Sequence, residues 1–106
     1  MYKDLELRET VTKHDLVNYG FYFNEGRRKF EFFRKLSDNI GVTFIAYIPE
    51  NDNGRYINYK VMNLNTGSPY APFYNRRYSH NNEVADRVEK RLENEIGRMI
   101  KDGLVK

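Results

Sequence analysis

The chain has 106 residues, with 18 Lys and Arg against 15 Asp and Glu, nine tyrosines, seven phenylalanines and no cysteine. That length suits one domain with its own core, and the lack of cysteine excludes thiolate zinc sites, thiol nucleophiles and disulfide frameworks. The net charge of +3 excludes an acidic mimic of nucleic acid and is compatible with a polyanion partner.

Charges run throughout Met1 to Gly20 with no apolar core of a signal segment. The longest apolar run, Phe44 to Ile48, falls far short of the roughly 20 residues of a membrane span. A cytoplasmic location without membrane contact is expected. The charge is also segregated. Residues 81–106 hold six basic and six acidic side chains, so the whole excess lies in residues 1–80.

Residues 1–10 alternate weakly through Leu5 and Leu7 and read as either an edge strand or a loose arm. A short helix follows, with Thr12 as N-cap, Asp15 at N3 in capping-box position, and Val11 and Leu16 spaced as a hydrophobic staple. Gly20 stands where a left-handed C′ residue belongs, with Phe21 placed to fold back on Leu16. Phe21 to Phe23 is a short extended stretch and Asn24-Glu25-Gly26 a turn.

Three strands are predicted next, over Lys29 to Leu36, Val42 to Ile48 and Arg55 to Asn63. Ser37-Asp38-Asn39 and Glu50-Asn51-Asp52-Asn53-Gly54 have hairpin-turn chemistry, and a simple antiparallel meander is the expected topology. Residues 65–80 read as a long irregular loop rich in aromatic and basic residues. The last element is an amphipathic helix from Glu83 to Asp102, entered at Asn81 or Asn82 and stopped by Gly103. Its apolar positions Val84, Val88, Leu92, Ile96 and Ile100 step by four, with Ala85 and Met99 widening the stripe. The expected fold class is therefore α+β: a short N-terminal helix, a three-stranded antiparallel meander and a long C-terminal helix packed on one sheet face.

Alternation puts Phe30, Phe32, Leu36, Val42, Phe44, Ala46, Ile48, Ile57, Tyr59 and Val61 on the face that receives the helices. The other face then carries Lys29, Glu31, Phe33, Lys35, Thr43, Ile45, Tyr47, Tyr56, Asn58, Lys60 and Met62. Aromatics interleaved with lysines suit either a protein or self-association interface or a stacking platform for single-stranded bases. Arg27 and Arg28 in the preceding turn extend this candidate surface. Tyr74, Arg76 and Arg77 in the long loop form a second cluster of hot-spot composition.

Catalytic and cofactor chemistry has no comparable pattern. The two histidines, His14 and His80, lie far apart and outside any ligand-spaced group. Glu50 to Gly54 lacks the closing glutamate of a calcium loop, and the glycines form no phosphate-binding motif. No metal or cofactor is expected. The order α-β-β-β-α resembles the double-stranded-RNA-binding fold in topology alone. Where that family carries a lysine cluster, at the start of the second helix, this chain reads Asn82-Glu83-Val84-Ala85-Asp86, so the family's function is not carried over. The expectation is a small accessory protein of a bacterium, phage or mobile element, non-enzymatic, acting through protein–protein contacts (a homodimer included), with nucleic-acid binding as the alternative.

Overall fold

A computed structural model describes residues 5–48, 55–75 and 82–106. Its elements in chain order are β1 (Leu5–Glu6), α1 (Lys13–Tyr19), β2 (Tyr22–Asn24), β3 (Lys29–Ser37), β4 (Ile40–Tyr47), β5 (Tyr56–Asn63), β6 (Ser68–Pro69), α2 (Ala71–Tyr74) and α3 (Glu83–Lys101). The predicted α+β class with an antiparallel sheet and a C-terminal helix is present. The predicted meander is its centre, β3-β4-β5, but the sheet has six strands, ordered β1-β5-β4-β3-β2, with β6 also paired to β5. The three added strands are only two or three residues long: β1 falls in the segment read as edge strand or arm, β2 overlaps the extended stretch at Phe21 to Phe23, and β6 falls in the expected loop. The 65–80 segment likewise contains β6 and α2, so its first half is structured rather than irregular.

Helix α1 has the ends its sequence calls for. Thr12 Oγ1 accepts from the Asp15 N–H at 3.1 Å, and the Asp15 carboxylate accepts from the Thr12 N–H at 2.8 Å. At the other end the Phe21 N–H donates to the Leu16 carbonyl and the Gly20 N–H to Val17. Gly20 has φ +132°, and a Cβ there would stand 2.8 Å from the Phe32 ring, so both backbone and space require glycine. Helix α3 starts at Asn82, whose Oδ1 accepts from the N–H groups of Val84 and Ala85. It ends in the same way as α1, with Leu104 donating to Met99 and Gly103 to Ile100.

The buried stripe of α3 differs from the expected one. It runs Ala85, Val88, Leu92, Glu95, Met99, while Val84 and Ile100 are 37% and 42% exposed. Each step of four overshoots a full turn by about 40°, so four such steps drift roughly 160° around the helix. Alternating steps of three and four hold one face, and they place Glu95 on it.

Glu95 is 7% exposed and joins three elements. Its carboxylate accepts from the Tyr19 hydroxyl at 2.8 Å and meets Arg34 Nε at 3.2 Å, with Arg98 at 4.0 Å. Arg34 sits on the helix-facing side of β3 and lies over the Phe32 ring. Around this contact the core gathers Leu16, Phe21, Phe32, Val42, Phe44, Ile57, Val61, Val88, Leu92 and Met99 into one cluster. The chain's outer segments also pair: Leu7 bridges Val105, Arg8 donates to the Leu104 carbonyl, and Lys106 donates to Glu6. The residues 1–4 of the expected arm lie outside the described residues.

Two outcomes test this arrangement. Glu95→Ala strips charged hydrogen bonds from Tyr19 and Arg34 and should lower stability in urea melts by about 1.5–3 kcal/mol; an unchanged midpoint would show that the carboxylate joins nothing. Burial, and then the Glu95 hydrogen bond and charge, push the Tyr19 hydroxyl above its ordinary pKa of 10.0. Below that pH both states are protonated. Above it the unfolded chain ionises first, so stability falls as pH rises. Tyr19→Phe should flatten this alkaline loss, read from melts across about pH 9 to 11.

Candidate functional site

Both longer helices pack on one face of the sheet, and the core cluster contains none of the residues from the other. Pairing orders that second face into rows across the strands. Glu31 of β3 stands beside Tyr22 of β2 and Ile45 of β4, which faces Asn58 of β5. The next row is Phe33, Thr43 and Lys60, and the next Lys35, Gly41, Met62 and Pro69. Tyr47 and Tyr56 pair at the opposite end, their rings 5.8 Å apart, with Lys29 Nζ 5.9 Å from the Tyr47 ring. The five expected sheet residues, Phe33, Lys35, Tyr47, Tyr56 and Lys60, thus share one face.

Their exposure is uneven. Phe33 is 47% exposed and Tyr47 36%, whereas Ile45 and Glu31 are buried. Phe33 rests on Gly41, because a Cβ at that glycine would lie 2.5 Å from the ring. A bare glycine on β4 therefore leaves the ring room against the sheet. Glu31 is closed over by the β2–β3 hairpin. Asn24 donates to it at 3.0 Å, the Tyr22 hydroxyl approaches at 3.5 Å, and Arg27 stands 3.7 Å away. Arg27 is thus committed in part to Glu31, and its neighbour Arg28 takes a left-handed φ of 55° to close the turn.

Charge on the face is lopsided. Glu31 faces Arg27, and Glu6 faces Lys106 at 3.3 Å. Lys35 and Lys60 make no ion pair among the described residues. Among the described residues, the carboxylates of this face are answered and the ammonium groups of its middle rows are not.

Tyr74 comes to the same face from the edge. Its hydroxyl accepts from the Val61 N–H at 2.8 Å, and Tyr70 N–H donates to the Val61 carbonyl, so α2 seals the edge of β5 just before β6 pairs with it. Burial raises the Tyr74 hydroxyl pKa, opposed by the Val61 hydrogen bond. Lys60, Met62, Pro69 and Tyr74 line a shallow groove of about 440 Å³. A smaller one of about 210 Å³ is lined by Arg27, Glu31, Thr43, Ile45, Lys60 and Met62. Tyr74, read from sequence as part of a separate cluster, therefore joins Lys60. The hydroxyl-to-backbone contact that places it carries no sequence signal. Arg76 and Arg77 lie outside the described residues, as do His80 and the Glu50 to Gly54 turn.

Among the described residues no cluster of three metal-ligating side chains occurs, and no helix is long and apolar enough to cross a membrane. No family model, curated protein or solved structure matches the chain. The site must therefore be read from its own geometry. That geometry predicts a proton NMR signature: the Gly41 Hα resonances should lie upfield under the Phe33 ring current and return to ordinary positions in Phe33→Ala. Resonances indifferent to the substitution would mean the ring does not sit there.

Proposed function

We propose that the protein is a non-enzymatic binding module whose working surface is the open face of the sheet. The observation that carries this reading is the combination on one face of exposed rings with lysines that no carboxylate answers among the described residues. A sheet face left bare by its own helices and studded with Phe33 and Tyr47 is costly to leave in water, and such surfaces mark interaction sites. Rings and ammonium groups recognise and hold a partner; they do not by themselves supply a nucleophile and a base. Two occupants were expected from sequence, a protein surface and a nucleic acid. The unanswered lysines favour the nucleic acid, since an apolar protein patch would bury them without a counter-charge. They also disfavour a second copy, because face-to-face pairing would set lysine against lysine.

Crosslinking in the source cell tests the surface. Ultraviolet and chemical crosslinking run in parallel should recover a partner with the unmodified chain and lose it with Phe33→Ala/Tyr47→Ala. Equal recovery from both chains would remove the open face as the working surface. Light scattering should give a monomer.

A further inference from the structure

We infer that the occupant is a single-stranded nucleic acid lying across the strands in a trough from Tyr74 to Arg27, an inference that rests on the open-face reading. The two grooves share Lys60 and Met62, so together they form one track. The track begins between Tyr74 and Pro69, passes Lys60 and Met62 on β5, crosses Thr43 and Ile45 on β4, and ends at Glu31 and Arg27. The three spacings between four strands, about 4.8 Å each, give a path of roughly 15 Å, long enough for a short stretch of extended backbone and too shallow for a duplex.

Charge chooses the partner class. Glu31, the one acid among the described residues that line the track, is held by Arg27 and Asn24 of this chain. Among the described residues Lys60 at the track's midpoint and Lys35 one row away have no ion-pair partner and can meet an anion, and Lys29 stands over Tyr47 at the far end of the face. A phosphate backbone answers a spaced series of ammonium groups. The rings choose the strandedness. Phe33, 47% exposed and in the same row as Lys60 with Thr43 between them, offers a ring on which a base stacks only if it is free of its own helix. Bases inside a duplex cannot reach it.

The test is fluorescence anisotropy with labelled oligothymidylate and oligouridylate of about 12 nucleotides, a duplex of the same length and polyglutamate. Single strands should bind and the duplex should not. If Lys29, Lys35 and Lys60 each neutralise one phosphate, affinity should fall about 20-fold between about 50 and about 200 mM salt. Lys60→Ala should reduce the salt slope by about 0.7, whereas Phe33→Ala should weaken binding roughly 5- to 100-fold at an unchanged slope. Both side chains are exposed, and thermal melts confirm that each variant is folded before it is titrated. Absence of binding at the lower salt, or variants that bind as the unmodified chain does, overturns the inference. Polyglutamate bound in preference to the oligonucleotides also overturns it, while leaving the open face as the working surface for an acidic protein. Loss of the open-face reading itself would show separately, as crosslinks indifferent to Phe33 and Tyr47.

Discussion

Everything in this molecule follows from a sheet that is dry on one side only. β3, β4 and β5 alternate so that Phe30, Phe32, Val42, Phe44, Ala46, Ile57, Tyr59 and Val61 point the same way. Nothing on those strands would hold them together in water. Two helices cover that side, and among the described residues none of the longer elements packs on the other, which keeps what its alternate positions carry. At full burial a side chain of the Leu or Phe class contributes about 1.5–3 kcal/mol, which is why the helical side fixes the register. One residue of slip would turn this whole set outward. The open side inherits its composition from that constraint and is free to be used.

Where the two layers meet, the joint is polar. Glu95 occupies a position in the α3 stripe that an apolar residue would fill, and it draws in Tyr19 from α1 and Arg34 from β3. A leucine there would pack without choosing among rotations of α3. The carboxylate accepts only the arrangement that brings both donors to it, so it exchanges some stability for a single seating of the helices. Gly20 acts similarly in the backbone, letting α1 end close enough for Phe32 to pass beneath it.

Much of this architecture was legible in the sequence because local chemistry announced it. Thr12 with Asp15, Gly20, Asn82 and Gly103 mark both helices at both ends, and the alternation of β3 to β5 sorts their faces. What was missed depends on distance. An edge strand over β1 and an extended stretch over β2 are legible, but β6 and the pairing of all three are not, because each exists only where a neighbouring strand offers an edge. Glu95 entered the buried stripe because helical geometry drifts under a four-residue step, and its partners lie far away in sequence. On the open face, the positions of Phe33, Lys35, Tyr47, Tyr56 and Lys60 were readable from parity. The burial of Glu31 under its hairpin, the seat of Phe33 on Gly41 and the arrival of Tyr74 beside Lys60 were not, since each joins segments that only the folded sheet brings together.

The clasp between Leu7 and Val105 has a consequence for the order in which the chain folds. Arg8 Nε reaches the Val105 carbonyl across a separation of 97 residues, whereas β3 and β4 are joined by only two residues between Ser37 and Ile40. Closing a long loop before its contacts exist is entropically unfavourable, and the penalty grows with the logarithm of its length. The hairpins therefore form first, α3 docks on them, and the clasp closes on an assembled sheet. Because the clasp contacts form last, they act as a latch: strengthening them slows unfolding and leaves the folding rate unchanged.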